Sequence, residues 1–318
     1  MRRFYPIVLA LLLLAGCSAP APSGGAEQES AGAESTVTFF GDDLGRELTV
    51  ERPRRVAALI GSFADIWCLA GGRDTLVAAA NDAWTSFDLD LEGVSDLGAI
   101  KEPNLEVLLA AEPDLILASC NTAADLELLE TFEAAGIPAA YFDVQDFDDY
   151  LRMLGICTAL TGCSDNYHQY GVLIQAQVRD AISRQDGSAP TVLCLRATGS
   201  SCKAKGSADN VLGEMLADLG CVNIADGDGA LLDDLSLEAI IRSDPDYIFA
   251  VLQGADPTDA QATLDAALLS NPAWAGLRAV EEGRFYTLDH RLYNLKPNAR
   301  WGEAYEALAD ILYGEKTA

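Results

Sequence analysis

The chain has 318 residues, with 49 Asp and Glu against 21 Lys and Arg, a formal net charge of −28 at pH 7. A surface that acidic repels phosphate backbones and anionic head groups, which excludes nucleic-acid binding and electrostatic docking to membranes. Half of the residues are hydrophobic, enough for one large core or two ordinary ones, so a disordered chain is excluded as well.

The only long apolar run is Phe4 to Ala15, preceded by Arg2 and Arg3 and followed by Leu14-Ala15-Gly16-Cys17. It is too short to span a bilayer and reads as a secretory signal, residues 1–16. Its Leu-Ala-Gly-Cys ending resembles the bacterial lipobox, in which Cys17 becomes the lipidated first residue. Residues 17–36 are then the lipidated cysteine and a tether of small polar residues. Such a protein would sit on the outer face of a bacterial cell membrane, attached through the lipid alone.

Folding is expected to begin with strands at Val37–Phe40 and Glu47–Val50, separated by the turn Gly41-Asp42-Asp43. Strands at Arg55–Ile60, Leu76–Ala80, Asp114–Ser119 and Pro138–Asp143 then alternate with helices at Ser62–Ala70, Asn104–Ala111 and Ala123–Ala135. Continuous apolar strands such as Leu115-Ile116-Leu117-Ala118 suit a parallel sheet covered on both faces. Residues 147–183 are helical in periodicity with one break, Thr161-Gly162-Cys163-Ser164. The alternation resumes with strands at Thr191–Leu195, Cys221–Ala225, Tyr247–Val251 and Arg284–Leu288, and with helices at Asp209–Leu219, Ser236–Arg242 and Arg300–Tyr313.

Residues 104–119, NLEVLLAAEPDLILAS, align without gaps to residues 236–251, SLEAIIRSDPDYIFAV. Each copy is a capped helix, a Pro-Asp stop and a buried strand. One such unit on each side of the helical region predicts an α/β fold of two lobes, each a mainly parallel sheet flanked by helices. One long helix would join them, with a ligand cleft between. The expected boundaries are 37–145 for the N-terminal lobe, 146–186 for the linker and 187–318 for the C-terminal lobe.

Enzyme signatures are scarce. The sequence has two histidines and contains no GxSxG, no GxxxxGK[ST] and no GxGxxG, so neither an esterase elbow nor a phosphate cradle is present. Of eight cysteines, seven remain once Cys17 is lipidated, so at least one is unpaired within a monomer. No CxxC or zinc-finger spacing occurs. Two histidines are too few for direct coordination of a bare metal, and no cofactor is expected.

The lipobox, the opening VTFFGDDLGRELTV, the segment RVAALIGSFADIWCLAGG, the two repeated units, the linker helix and the closing NPAWAGLRAVEEGRFYTLD together carry a resemblance. They are similar to the cluster of ABC-importer substrate-binding proteins that capture ferric siderophores, haem and cobalamin, over roughly residues 37–314. The resemblance implies a binding lipoprotein with little hinge motion and no chemistry of its own. It would be a monomer that hands a small-molecule metal chelate to an ABC permease dimer with its ATPase subunits. It also implies that one glutamate per lobe docks into arginine pockets of the permease, here Glu106 and Glu238. In each case an acid in the first turn of a helix also complements the helix dipole.

The ligand would meet loops at the carboxyl ends of the strands. In the first lobe these offer Ser62 and Phe63, then Asn81, Trp84 and Thr85, then Cys120 and Asn121. In the second they offer Arg196, Lys203 and Lys205 in a glycine- and serine-rich loop, then Gln253, then His290, Arg291 and Tyr293. The basic residues suit carboxylate, catecholate or hydroxamate oxygens, with Lys296 and Arg300 adding to them. Trp84 and Tyr293 would supply flat apolar contact. A ferric siderophore is therefore the expected ligand, with cobalamin or haem as the alternative; an extracellular α/β enzyme or a solute sensor fits less well.

Overall fold

A computed structural model describes residues 37–208, 210–254 and 257–314. The signal, the lipobox cysteine Cys17 and the tether lie outside the described residues. β1 (Val37–Gly41) and β2 (Glu47–Glu51) form an antiparallel hairpin. Asp42 in its turn is nearly inaccessible and ion-paired to Arg46 at 2.5 Å.

The first lobe is built on a fully parallel sheet in the order β5-β4-β3-β6-β7, with β3 Val56–Ala58, β4 Leu76–Ala79, β5 Ser95–Asp96, β6 Leu115–Ser119 and β7 Ala139–Phe142. All residues of β6 and β7 are buried, as a sheet covered on both faces requires. α1 (Gly61–Leu69) and α2 (Leu105–Ala110) flank it. The single helix expected over 123–135 is instead two short ones meeting at Leu128.

The second lobe carries a sheet in the order β10-β8-β11-β12, formed by β8 Thr191–Ala197, β10 Val222–Asn223, β11 Tyr247–Leu252 and β12 Phe285–Leu288, all parallel. A further strand, β9 (Cys202–Lys205), pairs antiparallel with the end of β8. The segment read as a glycine- and serine-rich loop is thus a hairpin, and Lys203 and Lys205 lie on a strand.

Between the lobes, α3 (Phe147–Thr161) opens with a capping box from Asp146 and Asp149 and ends at Gly162, whose φ of 74° closes the helix in the left-handed region. Helical structure resumes at Ser164, passes through a π-helical turn at His168–Val172 and continues as α4 (Leu173–Ser183). The last helix, α5 (Trp301–Tyr313), packs along α4, and the added Cβ of an alanine at Gly302 would lie 2.2 Å from the Gln177 side chain. One hydrophobic cluster runs without a break from β3 and β6 through α3 and α4 to β8, β11 and α5. Lobes that share a core in this way resist wide hinge opening.

The two repeated units match in detail. α2 begins at Asn104, whose side chain accepts from Val107 N at 3.1 Å; the helix Leu237–Ser243 begins at Ser236, which accepts from Ala239 N at 3.3 Å. The helices are followed by Glu112 and Asp244, both with positive φ, 47° and 40°. The aspartate of each Pro-Asp then ties down the start of the neighbouring strand. Asp114 accepts from Arg55 N at 3.0 Å, and Asp246 accepts from Thr191 N at 2.9 Å. The duplication is therefore structural as well as sequential.

Candidate functional site

The carboxyl ends of the strands of both lobes face a polar cavity of about 360 Å³ lined by Asn121, Val144 and Gln145 from the first lobe and by Arg196, Asn210, Val211, Asn294 and Lys296 from the second. A wider depression of about 580 Å³, lined by Ser200, Cys202, Asp259 and small residues, involves the second lobe alone and contains no cation.

Asn121 follows β6. Its amide nitrogen donates to Asp143 at 2.6 Å, and Gln145 donates to the other Asp143 oxygen at 3.1 Å. The backbone below is fixed by Asp125, whose carboxylate accepts from Ser119 N at 2.8 Å within the core. Burial pushes the Asp125 carboxyl up to about 7, against the lowering effect of that bond.

Arg196, near the end of β8, donates to Asn294 Oδ1 at 3.2 Å, a neutral acceptor. Among the described residues it makes no ion pair, and burial lowers its pKa. Lys296 is half-buried at the same cavity; desolvation lowers its pKa, while the charges of Asp143, Asp82 and Asp149 oppose that shift. Desolvated cations are costly unless an anion approaches them; Lys296 has carboxylates nearby, whereas Arg196 meets only the neutral Asn294 acceptor, so Arg196 above all is poised for one. In the hairpin register Arg196 stands opposite Lys203, and Lys205 lies two residues further along the same strand. The three cations therefore share one face of the β8-β9 hairpin.

Of the residues expected at the cleft, Asn121 and Arg196 line the cavity. Lys203 is exposed, and Lys205 is half-buried with its carbonyl held by Asn223 Nδ2 at 2.8 Å; neither lines the cavity. Gln253 closes β11 by donating its backbone N–H to Ala197 O at 2.8 Å, and it does not line the cavity. His290 is half-buried in the first turn of a short helix capped by Asp289. Arg291 from the same helix reaches across to the first lobe, where it pairs with Asp88 and donates to Thr85 O at 3.5 Å. Thr85 itself is exposed, beside the exposed Asn81.

Five expectations shift. Phe63 is fully buried, edge-on to Phe142 at 6.0 Å, so it belongs to the core rather than the cleft wall. Tyr293 is buried as well, with its hydroxyl donating to Ala304 O at 3.1 Å. Trp84 packs against the core, and Arg300 is held by Glu303 at 2.7 Å. Ser62 is also buried, and its carbonyl accepts from Asn298 Nδ2 at 3.0 Å. Asn298 has a φ of 52° and donates the same nitrogen to Asp65 at 2.8 Å. It is the buried polar link between second-lobe backbone and α1. Gln145, Asn210 and Asn294 were not foreseen: amides at loop ends carry no sequence signal that separates a ligand contact from a turn.

Glu106 and Glu238 are exposed in the first turns of α2 and Leu237–Ser243. Both helices precede the strand that follows them in a parallel sheet, so their N-termini lie on the carboxyl edge of each sheet, the edge that carries the cleft. Neither glutamate has an ion-pair partner among the described residues.

All seven cysteines of the folded region are free thiols. Among the described residues no helix is long and apolar enough to cross a membrane.

The chain is 25% identical to the Fe(3+)-citrate-binding protein YfmC of Bacillus subtilis over 89% of this chain and 87% of that one. It is 22% identical to YhfQ of the same organism, by description an ABC transporter substrate-binding lipoprotein, over 98% of both. Among solved structures it resembles the haem-binding protein RhuT of Roseiflexus, with a TM-score of 0.66 at 22% identity over 82% of this chain and 98% of that one. It also resembles the vitamin B12-binding protein BtuF of Vibrio cholerae, with a TM-score of 0.65 at 17% identity over 82% and 97%. The profile of the periplasmic binding protein family matches residues 56–292, three-quarters of the chain, and the protein belongs to that family of transporter substrate-binding proteins, which are not enzymes.

Proposed function

We propose that this protein is the solute-binding lipoprotein of an ABC importer and that it captures a ferric siderophore, a hydrophilic and anionic iron chelate, for delivery to the permease. The observation that carries the reading is the pair of desolvated cations, Arg196 and Lys296, in a cleft whose other lining is four amides and two valines. Charge-assisted hydrogen bonds from such donors suit the carboxylate, hydroxamate or catecholate oxygens that surround ferric iron. The cavity lining includes no aromatic ring. That speaks for a compact polar chelate over the macrocycles of cobalamin or haem, which need flat apolar contact. The likeness to an Fe(3+)-citrate-binding protein supports the same choice. Anchoring through Cys17 and docking through Glu106 and Glu238 belong to this proposal.

Tryptophan fluorescence of residues 36–318 titrated with ferric citrate, a ferric hydroxamate, a ferric catecholate, haemin and cobalamin tests it. Saturable quenching by one ferric chelate, weakened at least tenfold in R196A, is expected. Saturation by cobalamin or haemin alone would overturn the siderophore assignment.

A further inference from the structure

The duplicated units place more than an acid at equivalent positions. Counting from the cap, the third residue is Glu106 in one lobe and Glu238 in the other, and the sixth is Leu109 or Ile241. Residues three apart on a helix share a face. Leu109 is 39% exposed and Ile241 40%, two of the few large apolar side chains that the described surface leaves in water. A single exposed leucine is ordinary. An unpaired acid flanked by an exposed aliphatic residue, repeated at the same register on both lobes, is a surface written twice. A partner that reads both copies must itself present one site twice, as a twofold dimer does.

We propose that each lobe docks the permease dimer through a two-part contact, Glu106 with Leu109 and Glu238 with Ile241, in which the aliphatic side chain covers the ion pair made by its glutamate. This rests on the importer reading above and adds the apolar half of the contact. An exposed ion pair contributes little, because water and salt screen it. An adjacent apolar contact that excludes water raises the local strength of the pair and adds burial of its own. The charge gives partner choice and register, and the aliphatic contact slows dissociation.

The test is photo-crosslinking in cells that express the full chain, with p-benzoyl-phenylalanine placed singly at positions 109 and 241, at the exposed neighbours 110 and 242, which leave both glutamates in place, and, as a control on α4, at 173, where Leu173 is 53% exposed. Adducts are identified by mass spectrometry. Positions 109 and 241 should both yield the same polytopic permease subunit, and position 173 should not. In an L109S/I241S background, permease adduct at position 110 should fall at least tenfold while the quenching titration is unchanged. Permease adducts at 110 and 242 with none at 109 and 241 would overturn the apolar contact and leave the importer reading standing. Absence of permease from all four positions would overturn both.

Discussion

Replacing Asn298 tests what fixes the width of the cleft. Its side-chain nitrogen donates to Ser62 O at 3.0 Å and to Asp65 Oδ2 at 2.8 Å, joining the start of α5 to α1 inside the protein. A bond to an ionised carboxylate contributes about 2 kcal/mol and one to a backbone carbonyl about 1 kcal/mol. Asn298 Oδ1 is buried without a partner, so its removal offsets about 1 kcal/mol of that loss. Asn298→Gly, which tolerates the φ of 52°, should therefore cost about 2 kcal/mol. Asn298→Ala should cost about 1 kcal/mol more than Asn298→Gly, because alanine keeps the Cβ that asparagine already carries in this strained backbone and glycine sheds it. Burial pushes the Asp65 carboxyl up to about 6, with the Asn298 bond acting in the opposite direction. At pH 8 the bond meets a carboxylate and at pH 5 a neutral acid, so the loss should be larger at pH 8. Urea unfolding of residues 36–318 at the two pH values measures both effects. Equal midpoints for wild type and Asn298→Gly would show that the shared hydrophobic core alone sets the joint.

The same denaturation assay checks three further outcomes. Asp125, raised to about 7 in the folded protein from an unfolded value of 3.8, binds a proton in the native state that the unfolded chain has released over that interval. Its contribution therefore lowers stability as pH rises from about 4 to about 7, by a few kcal/mol, and Asp125→Asn should remove most of that slope. Identical slopes in the two proteins would place the raised carboxyl elsewhere. Gly61→Ala puts a Cβ 2.5 Å from Ala83 N and 2.7 Å from Asp82 C, both backbone, so it should cost about 2 kcal/mol and loosen the bond from Gly61 N to Asp82. Arg291→Ala, which breaks an exposed pair with Asp88 and a long, exposed bond to Thr85 O, should change stability by less than about 1 kcal/mol, in contrast to Asn298.

Most strands and helices were legible because periodicity and caps agree with the tertiary environment. Asn104 and Ser236 cap the helices they open, and the apolar run 115–118 is a fully buried strand. The failures have physical causes. Cys202–Lys205 contains two lysines and adjoins Gly199-Ser200-Ser201, so its composition reads as loop; pairing with β8 overrides that local preference. Phe63 and Tyr293 stand beside strand ends in sequence, yet both rings turn into the core, since adjacency to a loop does not fix which way a ring faces. Arg196 was legible because a cation at a strand end in so acidic a chain is conspicuous. Gln145, Asn210 and Asn294 were not, because their roles depend on segments distant in the chain, from Asn121 to Lys296, meeting at one cavity.

A net charge of −28 is ill-suited to an anionic ligand, and distance resolves the conflict. At physiological ionic strength the Debye length is about 8 Å, so acids scattered over the surface are screened from a solute inside the cleft, whereas Arg196 and Lys296 meet it where water is largely displaced. Under the proposed function the acidic surface would serve a different partner, the permease. Glu106 and Glu238 project from the carboxyl edges of the two sheets, where they can attract a cationic surface without competing for the chelate. On this view the cleft presents its cations to the ligand while Asp143, the acid beside them, is occupied by the Asn121 and Gln145 amides, and the acids of the rim remain for delivery. Reversing Arg196 to Glu should then abolish capture of a ferric chelate while crosslinking at position 109 persists, and loss of both together would show that docking depends on an occupied cleft.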